Sequence, residues 1–167
     1  GIAGIDGIGR MDAIPFSTLC IDTDEWKQEN KSSPDIDTND EITIVHAPNH
    51  RGIKGTEFII QAIEQLKQES LHIKLILLEN VKNEEVKNIL KYEADILIDQ
   101  LIFTGHGLNA IEGMALGIPV ICNLEDENYT LLFRRWSYLN QCPIVSATPE
   151  NITITLKKLI ENKTLRK

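Results

Sequence analysis

Five short apolar runs alternate with segments of helical periodicity from residue 41 onward. The runs read ITIVHA, LHIKLILL, ADILI, PVIC and CPIVSA. Because they are apolar throughout, rather than at every second position, they indicate strands that are buried on both faces. Strands of this kind that alternate with helices predict an α/β fold, a doubly wound parallel sheet of the Rossmann-like type.

The helical segments are recognised by apolar residues three and four positions apart. Gly117 and Pro119 follow one of them and indicate its end. Helices are predicted over FIIQAIEQL, from Asn83 to Tyr92, from Leu108 to Leu116, from Asn128 to Tyr138 and from Pro149 to Asn162.

The first 40 residues have a different composition from the rest. They contain four glycines within the first nine positions, then a long polar run with Pro34. We interpret 1–40 as an N-terminal arm and interdomain linker, and 41–167 as one Rossmann-like domain. The chain begins with Gly1 instead of Met, so we expect it to be part of a longer protein.

The overall charge and the rare residue types exclude several classes of function. With 17 Lys and Arg against 25 Asp and Glu, the net charge of -8 argues against binding to nucleic acid. No apolar run approaches the roughly 20 residues of a transmembrane segment. Three widely spaced cysteines and four scattered histidines give no metal-ligand spacing, so no metal and no cofactor are expected.

The junction after the first strand, HAPNHRGIKGTEF, places two cations beside two glycines. A helix that starts near Gly55 or Thr56 has unpaired N–H groups, which favour an anion. Arg51 and Lys54 would add positive charge, so the sequence predicts a phosphate site here. The alternative is that both are ordinary solvated residues of a connecting loop.

The second notable stretch is GHGLNAIEGMALGIPVI, from residue 105 to residue 121. Glu112 interrupts an otherwise apolar helix about one turn after its glycine-led start. A carboxylate in this position is suited to accept hydrogen bonds from ribose hydroxyls. The alternative is a solvated glutamate on an exposed helix face.

Three stretches together resemble one enzyme family. ITIVHAPNHRGIKGTEFIIQAIEQL, YEADILIDQLIFTGHGLNAIEGMALGIPVI and CPIVSATPENI are similar, in this order, to the donor-nucleotide domain of group 1 (family 4) glycosyltransferases with the GT-B fold. The likeness covers about residues 41 to 162. It implies one domain of a two-domain enzyme that moves a sugar from a nucleoside-diphosphate sugar to a hydroxyl acceptor in glycan or polysaccharide biosynthesis.

The resemblance also implies roles for particular residues. Arg51 and Lys54 would bind the diphosphate and stabilise it as the leaving group, and Glu112 would bind the donor ribose. The main-chain amides of Gly107 and Leu108 would face the phosphates.

Further contacts fall on the loops that face the ligand. His50 and His106 are candidate ligands for phosphate or sugar. The family often has a second glutamate, separated from the Glu112 position by seven residues, but Thr104 stands there. The resemblance therefore implies neither a carboxylate contact to the donor sugar ring nor retention of the anomeric configuration.

The resemblance implies partners that this chain lacks. The donor would be a UDP- or GDP-sugar, and the active site would need an N-terminal acceptor-binding domain. We therefore expect this chain alone to have little or no transferase activity. A cytoplasmic protein is expected, peripheral at the inner membrane face through the missing domain.

In a second hypothesis, the chain catalyses no reaction. The chain would then be a flavodoxin- or receiver-like α/β module that binds a protein partner.

Two stretches match known motifs only by their letters. The glycine-rich GIAGIDGIGR follows no strand, and the acidic DTD at Asp22 to Asp24 is expected to be surface charge.

Overall fold

The computed structural model describes residues 20–27, 41–125 and 141–166, in which the sheet contains five parallel strands. The strand order is β2-β1-β3-β4-β5, and every pairing is parallel. The strands are β1 (Ile42–His46), β2 (Ile73–Leu77), β3 (Ile96–Thr104), β4 (Val120–Asn123) and β5 (Val145–Ser146). The helices are α1 (Arg51–Lys54), α2 (Thr56–Gln68), α3 (Asn83–Tyr92), α4 (Leu108–Ala115) and α5 (Ile152–Glu161).

Each face of the sheet carries its own hydrophobic core. One core joins the sheet to α2 and α5 through side chains such as Ile59, Leu66 and Leu156. The other joins the sheet to α3 and α4 through side chains such as Leu90 and Ala110. Strand residues alternate between the two cores, which is why the strands are apolar on both faces. The predicted doubly wound parallel α/β fold is confirmed.

Two elements differ from the sequence prediction. β3 was expected to end with ADILI at Ile98, but it continues to Thr104 because the polar side chains of Asp99 and Gln100 find partners in the interior. The loop after β1 contains the extra helical turn α1 before α2 begins at Thr56. The predicted helix from Asn128 to Tyr138 lies outside the described residues.

Part of the arm contacts the domain. Trp26 is buried in the core that contains α3 and α4, and Ile21 packs against the same core. Lys87 Nζ lies 5.4 Å from the ring centroid of Trp26 and 2.9 Å from Glu25 Oε2. Asp22 and Asp24 are exposed, as expected for surface charge. The interpretation of 1–40 as an arm and linker stays a prediction.

Helix α4 lies very close to the sheet at Gly113. A Cβ added there would lie 2.6 Å from Leu97 Cδ2 and 3.0 Å from Val120 Cγ2. Any side chain at this position would therefore push α4 away from β3 and β4. This close approach brings the start of α4 to the carboxyl ends of the strands.

We predict that Gly113→Ala lowers the free energy of unfolding by about 1–3 kcal/mol, because the methyl group overpacks the interface. Gly52→Ala is the matched control, since a Cβ at Gly52 meets no atom within 4 Å. Urea unfolding of the two variants provides the comparison. Equal stability of both variants would contradict the close packing of α4.

Candidate functional site

The loop between β1 and α2 is held tightly against β3. Gly55 separates α1 from α2 and has φ of 75°, a left-handed conformation that favours glycine. A Cβ at Gly55 would also lie 3.0 Å from Leu101 Cβ. α1 is therefore pressed onto the carboxyl-terminal half of β3, which determines where its side chains point.

Lys54 points into the protein instead of into solvent. Its ammonium group forms a buried ion pair with Asp99 Oδ1 and donates a second hydrogen bond of 2.9 Å to Gln100 Oε1. The whole residue is 8% exposed. Its cation therefore lies at the carboxyl edge of the sheet, but at the bottom of the site.

Asp99 connects Lys54 to the start of α4. Its Oδ2 accepts a hydrogen bond of 2.5 Å from the Gly107 N–H, and Cys122 Sγ lies 3.8 Å from the same oxygen. A methyl group on Gly107 would lie 3.1 Å from Lys54 Nζ. Lys54 and Gly107, which are 53 positions apart, are thus neighbours.

A second contact joins the same two segments. Asn109 Nδ2 donates a hydrogen bond of 3.2 Å to the carbonyl oxygen of Ala47, just after β1. The loop after β1 and the start of α4 therefore lie side by side at the sheet edge. The Gly107 amide, which was expected to face a phosphate, already donates to Asp99 in this structure.

Arg51 lies on the outer side of this region. Its guanidinium group contacts Glu57 Oε1 and Glu79 Oε2 at 2.7 Å each, and both carboxylates raise its pKa. Arg51 is exposed, and Glu79 is half-buried two residues after the end of β2. These contacts use three of the five N–H donors of Arg51, so a phosphate that binds Arg51 would compete with the two carboxylates.

Glu112 is buried without full hydrogen bonding. The residue is 3% exposed, and within the described part of the chain its Oε2 has no hydrogen-bond partner. Burial raises the pKa of Glu112, and the negative charge of Asp99 raises it further. A buried acceptor of this kind is costly, so a ligand hydroxyl that donates to it would be stabilising.

The other candidate residues differ in exposure. His50 and Leu108 are exposed, and Thr104 is half-buried at the end of β3. His106 is half-buried, and its Nδ1 also lacks a partner among residues 20–27, 41–125 and 141–166. Two predicted polar residues, one on α4 and one just before it, therefore carry buried atoms that no described residue hydrogen-bonds.

The buried side chain of His46 connects β3 to the start of α2. Its Nδ1 lies 2.8 Å from the Ile98 carbonyl oxygen, and its Nε2 lies 2.9 Å from Thr56 Oγ1. Since a carbonyl only accepts, Nδ1 carries the proton and Nε2 accepts from the Thr56 hydroxyl. Burial lowers the pKa of His46 to about 4, so the ring is neutral near pH 7.

Sequence reasoning missed Asp99, the residue that contacts both segments. The available signal was an ionisable residue inside a continuous apolar strand, which is rare without a partner. His46 gave a similar signal at the end of β1.

The described residues contain no group of three or more His, Cys, Asp or Glu side chains that could hold a metal ion. The same part of the chain has no helix that is long and apolar enough to cross a membrane.

Comparison with known proteins shows the fold. No family model matches the chain, and no curated protein matches it. A similar solved structure is that of WaaG, a glycosyltransferase involved in lipopolysaccharide biosynthesis, with 17% sequence identity and a TM-score of 0.50. The match covers 78% of this chain and 40% of WaaG, so the chain spans well under half of that protein. The α/β fold is therefore one that also occurs in a glycosyltransferase.

We predict that the free energy of unfolding falls as the pH is lowered from about 6.5 to about 4. Unfolded His46 takes up a proton near 6.5, whereas the folded residue does so only near its lowered pKa of about 4. The difference between the two pKa values lowers the free energy of unfolding by about 3 kcal/mol once the pH is below the folded pKa.

His46→Gln removes this titration, so its stability relative to the wild type should rise as the pH falls. Urea unfolding at several pH values measures the difference. His72→Gln makes the same chemical change at an exposed histidine and is the control. A difference between wild type and His46→Gln that stays constant with pH would show that His46 is not held neutral.

Proposed function

We propose that this chain binds the nucleoside-diphosphate part of a sugar donor and is the donor half of a glycosyltransferase. The observation that carries this proposal is the meeting of Lys54, the start of α4 and a second cation, Arg51, at the carboxyl edge of a parallel sheet. This edge is where open α/β sheets bind their ligands. The fold likeness to a glycosyltransferase supports the same class of function.

The proposed chemistry is electrostatic. When the bond between sugar and diphosphate breaks, negative charge develops on the leaving diphosphate. Arg51 would exchange a carboxylate partner for a phosphate, and Lys54 would donate its remaining N–H to the phosphate from the buried side of the site. The positive end of the α4 dipole, near Gly107 and Leu108, would add to this stabilisation.

Glu112 is proposed to bind the ribose of the donor. Its Oε2, which has no partner among the described residues, would accept a hydrogen bond from a ribose hydroxyl, and this removes the cost of a buried, unsatisfied acceptor. His106 Nδ1, near the helix start, also has no partner in the described part of the chain and is available to a phosphate or a sugar hydroxyl. His50 and Thr104 are proposed to line the outer part of the same pocket.

The wider setting is also a proposal. The donor would be a UDP- or GDP-sugar, with no metal or cofactor, and the acceptor would be a hydroxyl group bound by an N-terminal domain. Without that domain, we expect little or no transfer by these 167 residues. Glycan or polysaccharide biosynthesis on the cytoplasmic side of a membrane, with peripheral attachment through the proposed N-terminal domain, fits this activity.

One observation favours the second candidate, a non-catalytic α/β module that binds a protein partner. Arg51 and Lys54 both already have carboxylate partners, as they would in a site that binds no anion. Binding of nucleotides distinguishes the two candidates.

We predict that UDP, GDP or ADP raises the melting temperature of the chain, whereas the corresponding nucleoside has a much smaller effect. A ligand at about 100 times its dissociation constant stabilises a fold by about 2.7 kcal/mol. Arg51→Ala should weaken binding of the active nucleotide by about tenfold or more, because a charge-assisted contact to phosphate is lost.

Lys157→Ala is the matched control for Arg51→Ala. Lys157 is also partly exposed and forms an ion pair with Glu69, but on α5, away from the proposed site. Isothermal titration calorimetry compares the two variants. If no nucleoside diphosphate binds the wild type, the donor function is wrong and the protein-binding alternative is favoured.

We predict that Glu112→Gln stabilises the fold at pH 7, by something on the order of 1 kcal/mol, while it weakens nucleotide binding. The raised pKa of Glu112 means that its charged form is penalised in the folded state. This penalty is present above the folded pKa and disappears as the pH falls through it, so the stabilisation should shrink at acidic pH.

Glu64→Gln makes the same chemical change on an exposed face of α2 and should alter neither property. Urea unfolding and calorimetry measure stability and affinity. A Glu112→Gln variant that is less stable at pH 7, or that binds nucleotide as well as the wild type, would contradict this role.

A further inference from the structure

Asp99 is the most completely enclosed charged group in this region. The residue is 2% exposed and its side chain is fully buried, in the middle of β3. Its contacts come from three other parts of the chain: Lys54 on α1, Gly107 at the start of α4 and Cys122 on β4. A buried carboxylate persists only when it is paired and hydrogen-bonded in this way.

The two carboxylate oxygens of Asp99 accept hydrogen bonds from different donors. Oδ1 accepts from the Lys54 ammonium group, and Oδ2 accepts from the Gly107 N–H. An ionised carboxylate can offer one acceptor oxygen to each of two different donors. Asp99 therefore joins Lys54 to the start of α4, and Gly107 lies next to both members of the ion pair.

We propose that Asp99 is a positioning residue for the diphosphate of the donor, an inference that rests on the function proposed above. Asp99 does not touch the ligand, because its side chain is buried beneath Lys54 and Gly107. It holds the Lys54 ammonium group and the start of α4 at a fixed distance. The diphosphate then binds to an ammonium group and a helix N-terminus that are already in position, so little binding energy is lost in ordering them.

An asparagine cannot perform this task, although it has the same shape. Its side chain offers one acceptor and one NH₂ donor, so the NH₂ group must face either Lys54 Nζ or the Gly107 N–H. One hydrogen bond is replaced by a repulsive contact between donors. In addition, a buried ammonium group without its anion is costly, which drives Lys54 out of its place.

The experiment compares Asp99→Asn with Asp95→Asn in the full 167-residue chain. Asp95 is the matched control because it immediately precedes β3 and its Oδ2 also accepts a main-chain hydrogen bond, from Thr43 N at 2.8 Å. Asp95 lies at the amino end of the strand, away from the proposed site. Calorimetry is performed with UDP, GDP and ADP, and ligand-observed NMR is performed with uridine, guanosine and adenosine.

We expect Asp99→Asn to raise the dissociation constant of the nucleoside diphosphate by about tenfold or more. The affinity for the corresponding nucleoside should stay within about twofold, because the nucleoside makes no contact with Lys54 or the α4 start. This split between phosphate and nucleoside separates positioning from a general loss of structure, which would weaken both. Asp95→Asn should bind both ligands like the wild type.

Gly107→Ala tests the same idea if Asp99→Asn does not fold. Its methyl group would lie 3.1 Å from both Asp99 Oδ2 and Lys54 Nζ, so it displaces the same pair without a change of charge. We again expect weaker binding of the diphosphate and little change for the nucleoside.

The possible outcomes separate the two proposals. If the wild type binds no nucleoside diphosphate, both the donor function and the role of Asp99 are wrong. If the wild type binds and Asp99→Asn binds equally well or more tightly, only the positioning role is wrong. An equal loss of diphosphate and nucleoside affinity would show that Asp99 acts through the fold alone.

Discussion

The buried ion pair between Lys54 and Asp99 determines the arrangement of the candidate site. Burial of two charges is costly, and the cost is offset only when the hydrogen-bonding groups around them are satisfied. Here Gln100 and the Gly107 N–H supply those contacts. The pair therefore holds α1 and the start of α4 against β3, and removal of either charge would leave the other buried without a counterion.

The second constraint is electrostatic. Asp99 pairs with Lys54, and Glu57 and Glu79 pair with Arg51, so three carboxylates surround two cations in the ligand-free site. An anionic ligand gains most where a carboxylate is exposed and easily replaced, as around Arg51, and least where it is enclosed, as at Asp99. Among the described residues Glu112 Oε2 has no partner, which lowers the stability of the fold without a ligand, a frequent property of binding sites.

Much of the fold was predictable from the sequence because it depends on local pattern. The apolar runs predicted β1 to β5, and the spacing of apolar residues predicted α3 with the same first and last residues as in the structure. The continuation of β3 was not predictable, because Asp99 and Gln100 are tolerated in the interior only through partners far along the chain. For the same reason the loop pattern grouped Arg51 with Lys54, whereas the structure turns one outward and the other inward.

The most direct test is a titration of the ¹⁵N-labelled chain with UDP, GDP and ADP, followed by NMR. If the carboxyl edge of the sheet binds the donor diphosphate, amide shifts should be concentrated in residues 46–57 and 99–112, with the largest changes near Arg51 and Gly107. Shifts confined to the opposite, amino-terminal edge of the sheet, or no shifts with any of the three nucleotides, would contradict a sugar-donor site at this edge.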